Sequence, residues 1–229
     1  WMERPYHYYE QRMYQSLLGT GMDTLPIVAI PGNHEYLKGV VKTLPQHWKT
    51  IFPNPHNGPA RFLGTSYYVD FPQLRLIALD TDGLHRMSDY TQVAFWLKKT
   101  LRDAGKKFTI VMMHHPIYST AEGRHTPLMW LAFHGVMREA DVVFSGHDHN
   151  YARRTVHYEE RFWKKEEPTI FIGTNASMKK YPVKENNQYE ASFSGEPVYQ
   201  YICVTHNTLH ISTFNLLSAE RIDHVEIIH

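Results

Sequence analysis

The sequence predicts an α/β fold, and three observations carry that prediction. Short apolar runs rich in β-branched residues recur along the chain, segments with helical spacing alternate with them, and the runs end in polar clusters. With 229 residues, 42% hydrophobic and 14% aromatic, the chain can bury a sizeable core, which argues against disorder. Its 24 Lys and Arg against 23 Asp and Glu leave a formal charge of +1, so there is no electrostatic footprint for general nucleic-acid or membrane-surface binding. No stretch approaches the ~18–20 apolar residues that a membrane span needs. The single cysteine, Cys203, excludes an intrachain disulfide framework and any multi-cysteine zinc site. A metal would have to be held by His, Asp, Asn or Glu, and histidine is abundant, with 16 copies.

Taken in order, residues 6–18 are aromatic-rich and weakly amphipathic, a helix stopped by Gly19 and Gly21. Leu25 to Ile30 reads as a buried strand that ends in Pro31-Gly32-Asn33-His34-Glu35. Six prolines and glycines between 45 and 66 mark a long irregular loop. Ser66–Phe71 and Leu74–Asp80 read as paired strands. Ser88 is a suitable N-cap for a helix with Val93, Trp96, Leu97 and Leu101 on one face, closed by Gly105. Phe108–Met113 is the next buried strand and delivers His114-His115-Pro116. A helix over Pro127 to Glu139 places Leu128, Leu131, Ala132 and Val136 on one stripe. Asp141–Ser145 is a further strand, delivering Gly146-His147-Asp148-His149-Asn150. After residue 151 the short runs at 155–162, 169–173, 198–205, 209–214 and 222–228 suggest a mainly antiparallel section packed on the same core.

Three constellations carry chemistry. Gly32-Asn33-His34-Glu35 is either a Gly-Asn turn with a surface histidine or an amide oxygen on a metal with His34 beside it. His114-His115 is either a structural strand end or a ligand pair of which at most one ring faces a given site, because neighbours on a strand point to opposite faces. Gly146-His147-Asp148-His149 offers two imidazoles at i and i+2 directly after the apolar Val142-Val143-Phe144, where unpartnered polar groups would be costly. Five of the 16 histidines fall in these three places. All three lie where an α/β sheet puts its site, outside the carboxyl ends of the strands.

The ordered motifs GNHE, HHP and GHDHNYAR, with the intervening runs Tyr67–Phe71 and Leu76–Asp80, resemble the calcineurin-like metallophosphoesterase superfamily and, within it, the purple-acid-phosphatase-like branch. The resemblance is firm from about 26 to 154 and implies an αββα sandwich with mixed sheets. It implies two divalent or trivalent transition metal ions, Fe, Zn or Mn, with Asn33, His114 and His147 on one and His149 on the other. His34 would be the outer histidine that stabilises the transition state or protonates the leaving oxygen, and His115 would touch the substrate phosphate. The activity implied is hydrolysis of phosphorylated small molecules or other phosphoesters by a metal-bound hydroxide, in the first instance by a phosphatase. A phosphodiesterase or nuclease on the same centre and a non-catalytic phosphoesterase-fold binding module are the alternatives. The branch leans towards a secreted or periplasmic protein.

Two earlier motifs of the superfamily, Asp-x-His and a Gly-Asp segment whose Asp bridges both metals, are not found in the 31 residues before Gly32, where Asp23 is the sole aspartate. Without them His149 is the only ligand left to the first metal. Residues 1–229 are therefore expected to be one catalytic domain, the C-terminal part of a larger one whose first βαβ units and half of whose ligands precede Trp1. A degenerate family member is the competing expectation. The Ser119–Thr126 loop beside the second motif is either a lid over substrate or a polar surface loop.

Overall fold

The structure, a computed structural model, describes residues 26–37, 42–160, 163–164, 167–185 and 188–229. The helix expected over 6–18 lies outside these residues. Among the described residues, three α-helices, α1 (Gln46–Ile51), α2 (Met87–Arg102) and α3 (Pro127–Met137), and a 3-10 turn at Ala60–Phe62 accompany twelve strands. The strands are β1 (Tyr67–Asp70), β2 (Leu74–Leu79), β3 (Phe108–Met113), β4 (Val142–Ser145), β5 (Tyr151–Val156), β6 (Glu159–Glu160), β7 (Trp163–Lys164), β8 (Thr169–Gly173), β9 (Ala191–Phe193), β10 (Val198–Val204), β11 (Thr208–Asn215) and β12 (Arg221–Ile228).

Seven strands form one mixed sheet in the order β1-β2-β3-β4-β8-β5-β9, and β10-β11-β12 form a separate antiparallel sheet. The core of the large sheet, β2-β3-β4-β8, is parallel. Period-two alternation splits its side chains between two cores. Ile77, Leu79, Val111, Met113, Val143 and Phe171 face Val93, Leu97 and Leu101 of α2 and Met129, Phe133 and Met137 of α3. Phe108, Ile110, Val142, Phe144, Ile170 and Ile172 face Val198, Leu209 and Ile211 of the small sheet. Each fully buried aliphatic or aromatic side chain contributes about 1.5–3 kcal/mol of transfer free energy, so the two cores fix the stacking of helices, large sheet and small sheet. These are three of the four layers of the expected sandwich. Asp223 of β12 adds a polar tie to the large sheet, accepting hydrogen bonds from Tyr151 Oη at 2.6 Å and Arg153 Nε at 2.6 Å.

The sequence reading needs correction at several places. Residues 26–30 join no strand ladder among the described residues. The Tyr67 hydroxyl accepts from the Ala29 N–H at 2.9 Å and donates to the Ala29 carbonyl at 2.7 Å, so a side chain satisfies the peptide that a neighbouring strand would have satisfied. The 45–66 stretch contains α1, which buries Trp48 against Phe52. Helix α2 starts before Ser88, and Asp89 caps it by accepting from the N–H groups of His85 and Arg86. In α3 the buried stripe is Met129, Phe133 and Met137, and Leu131 is 68% exposed, because the sheet approaches the helix from the other side. Strand β8 is parallel to β4 and antiparallel only to β5.

Candidate metal centre

The parallel ladder brings the second and third motifs together. Leu79 pairs with Met113, Met113 with Ser145 and Ser145 with Gly173, so four strands end level with one another. Residues 80–82, 114–115, 146–149 and 174–177 therefore emerge side by side at one edge, as open α/β sheets arrange their sites. The Gly146 N–H donates to the His114 carbonyl at 3.1 Å, which carries the pairing one residue past the strands.

Three of the predicted donors converge there. His114 Nε2 lies 2.7 Å from Asn33 Oδ1 and 3.1 Å from His147 Nδ1. Ring nitrogens of His114, His115 and His147 all lie within 4.8 Å of one another. Both rings of the His114-His115 pair thus reach one site, contrary to the strand-alternation expectation. Strand β3 stops at Met113, and alternation stops with it. His149 stands apart, with its Nδ1 2.9 Å from Ser177 Oγ and its ring edge-on to Tyr181. His34 is exposed next to Asn33, near enough for a charge on it to lower the pKa of His114 and of His149.

Local sequence explains how the donors are held. Gly32 is required by space, since a Cβ there would lie 2.8 Å from His114 Nδ1. The Glu35 carboxylate accepts the Gly32 N–H at 2.9 Å and the Glu35 N–H returns to the Gly32 carbonyl at 3.2 Å, closing the turn that presents Asn33. In the 146–149 loop, His147 and His149 adopt left-handed φ values of 68° and 51°, a strained conformation for residues with a Cβ. Buried Asp148 between them holds that conformation. Its Oδ2 accepts from Thr120 N at 2.6 Å, Ser119 Oγ at 2.8 Å and Ala121 N at 3.2 Å. The Ser119–Thr126 loop is pinned further by Lys184, whose N–H donates to the Thr120 carbonyl and whose ammonium donates to the carbonyls of Ser119 and Arg124.

The electrostatics favour neutral imidazoles. Burial, followed by the charges of the other histidines, lowers the His114 pKa to about 3. Burial is also the main cause that lowers His115 to about 4, with Lys42 adding to it, and His147 to about 4, with His115 and Arg124 adding. Neutral imidazole is the form that ligates metals. The His114–Asn33 and His114–His147 contacts put three lone-pair donors around one space. Two donors each ~2.0–2.1 Å from a shared ion and at about a right angle would be roughly 3 Å apart, close to the 2.7 and 3.1 Å contacts here. The donors present therefore fit a borderline transition metal ion such as Zn, Mn or Fe.

Several residues near the site carried no sequence signal. Thr81 Oγ1 lies 3.2 Å from His115 Nδ1 and accepts the His115 N–H at 3.1 Å. Asp82, buried, pairs with Lys42 Nζ at 3.2 Å and has one oxygen, without a hydrogen bond among the described residues, 3.5 Å from His115 Nδ1. Arg124 donates to the His147 carbonyl at 3.2 Å and sits 3.7 Å from Asp148 Oδ1. Only their position in the fold shows these roles. Asp80, by contrast, is structural, bonded to the Tyr36 hydroxyl at 2.5 Å and the Gly83 N–H at 2.9 Å.

A family model described as calcineurin-like phosphoesterase matches residues 4–151, which include all six predicted site residues. The chain belongs to that family. It is also similar to the glycerophosphodiester phosphodiesterase GpdQ of Enterobacter lignolyticus (strain SCF1), with 26% identity over 133 residues that cover 55% of this chain and 45% of that protein. The chain thus spans less than half the length of this curated relative. No helix among the described residues of this calcineurin-like phosphoesterase is long and apolar enough to cross a membrane.

Proposed function

We propose that this chain forms the greater part of a metal-dependent phosphoesterase domain that hydrolyses phosphate esters, with Asn33, His114 and His147 holding one ion and His149 contributing to a second. The observation that carries this reading is the convergence of Asn33 Oδ1, His114 Nε2 and His147 Nδ1 from three separate motifs within 2.7 and 3.1 Å contacts. When bound, such an ion supplies Lewis acidity toward a phosphoryl oxygen and lowers the pKa of water. The chain's own residues do the rest. Lys42 and Arg124, close enough to the cluster to depress the His115 and His147 pKa values, give it the positive field that draws a phosphate. His34, exposed at the rim beside Asn33, offsets charge on the phosphoryl oxygens or hands a proton to the departing oxygen. His115, held by Thr81 and Asp82, faces the phosphate from the other side of the cluster. The remaining donors of the second ion would lie outside the described residues.

The test separates ligand from proton donor. Metal content and turnover of 4-nitrophenyl phosphate are measured for the wild type and for His114→Ala, His147→Ala and His34→Ala. His114→Ala and His147→Ala should lose metal and activity together, whereas His34→Ala should keep metal and lose turnover by 100-fold or more. A His34→Ala protein that loses its metal while turnover per metal ion is unchanged sinks the assignment. The similarity to a glycerophosphodiester phosphodiesterase favours a second reading, a diesterase on the same centre. Comparing 4-nitrophenyl phosphate with bis(4-nitrophenyl) phosphate decides between them.

A further inference from the structure

Next to the metal centre, a cavity of about 300 Å³ touches His115, Thr81 and Asp82. It shares His125, Thr126 and Pro127 as a wall with a second cavity of about 380 Å³. Tyr118, Trp130, Arg154, Lys184, His125 and Tyr189 line this second cavity, and no acidic residue is among its described lining. Arg154 is the unusual member. Alternation along β5 sends Tyr151 and Arg153 toward Asp223 of the small sheet and Arg154 with Val156 toward the helices. There the guanidinium stacks on Tyr118, 4.1 Å from the ring centre. Its Nε is buried without a hydrogen-bond partner, and among the described residues no carboxylate pairs with the guanidinium.

A planar cation with a buried, unmatched N–H is costly to leave alone, and its fork geometry suits a carboxylate or phosphate. Lys184 adds a second positive charge, whose ammonium donates to the backbone carbonyls of Ser119 and Arg124 and forms no ion pair among the described residues. The amino end of α3, which begins at Pro127, adds its partial positive charge at the shared wall. Trp130, partly exposed in the lining, supplies apolar surface on which a ring or hydrocarbon body can lie.

We infer that this second cavity receives the leaving-group end of the substrate and that this end carries an anionic group, carboxylate or phosphate, held by Arg154. The substrate class is then a phosphoester with a second negative charge, separated from the scissile phosphate by an apolar or planar body. This inference rests on the phosphoesterase reading above for the word substrate, and on the cavity alone for the binding site.

Two measurements test it. In the first, calorimetric titration compares 4-hydroxybenzoate with phenol, which differs by the absent carboxylate. The wild type should bind 4-hydroxybenzoate at least tenfold more tightly, Arg154→Gln should lose that margin, and Arg154→Lys should recover part of it. In the second, kcat/KM is compared for 4-carboxyphenyl phosphate and phenyl phosphate, and the wild-type ratio should be tenfold or more, carried by KM, and fall toward one in Arg154→Gln. Equal binding of the two probes by the wild type overturns the inference without any variant, as does a preference that survives Arg154→Gln. Binding of 4-hydroxybenzoate through Arg154 with neither ester hydrolysed would keep the anion site and discard the phosphoesterase reading. Hydrolysis without charge preference would do the reverse.

Discussion

Two loops present the site, and they are built on opposite principles. The 146–149 loop grows directly out of a parallel ladder, and a buried carboxylate, Asp148, bolts it to a second loop 28 residues earlier in the chain. The 32–35 loop follows a stretch with no ladder among the described residues and is held by its own Glu35, by Tyr67 on Ala29 and by contact with His114. The first loop is preorganised by tertiary structure, which overrides the left-handed strain at His147 and His149. The second is preorganised locally and depends on the histidine it serves. A failure in the first should therefore show in folding, and a failure in the second in metal affinity.

The sharpest way to break this contrast is Asp148→Ala. It leaves the N–H groups of Thr120 and Ala121 and the Ser119 hydroxyl without their acceptor and should cost about 3 kcal/mol in urea denaturation, with the metal-free protein affected as much as the loaded one. An acid titration of metal-free stability probes the cluster between the loops. His114 at about 3 and His115 and His147 at about 4 lie below the ordinary histidine value near 6.5, so the unfolded chain binds more protons between those limits. Stability is then fully present above pH ~6.5 and is lost as pH falls, by up to about 1 kcal/mol for each histidine between pH 6.5 and 5.5. His114→Gln should flatten that slope; an unchanged slope would show that the ring is not buried neutral.

Gly32→Ala should act differently. Its new methyl must displace the His114 ring, so metal affinity should fall tenfold or more while the denaturation midpoint shifts little. A large stability loss with unchanged metal affinity would erase the distinction between the loops. The smallest effect expected is that of Glu35→Gln, because an amide oxygen still accepts the Gly32 N–H. Metal affinity should change less than threefold in a direct titration.

Much of the parallel sheet was legible from the chain. The bounds read for Phe108–Met113 match the strand because an unbroken apolar run ending in polar residues has one reading, and the same logic matches the start of β2 and the end of β4, with the other end of each one residue off. Asn33, His114 and His147 could be assigned to one ion through the family resemblance, and the strand-end rule accounts for the nearness of His114 and His147 but not of Asn33, because residues 26–30 join no ladder among the described residues. The misses share a cause. Helix α3 carries two apolar stripes, and only the position of the sheet decides that Phe133 is buried while Leu131 is not. His115 turned into the site because the strand had ended. Asp148, Arg124 and Asp82 act through partners that are distant in sequence, and no local pattern encodes such pairings. The Asp89 cap lay one residue from the expected cap because a carboxylate inside the first turn can reach back to two N–H groups.

The level ends of β2, β3, β4 and β8 act as a ruler. Neighbouring strands lie about 4.7–4.9 Å apart, so the backbones of His114 and of Gly146, which precedes His147, are separated by one fixed graduation that no side chain can alter. Only the reach of each side chain remains adjustable, in steps of one covalent bond. Changing the length of a sheet-borne donor, as in His147→Asp, therefore misses a mark the sheet has already engraved, and tuning this centre toward another ion has to proceed by exchanging donor chemistry at constant length.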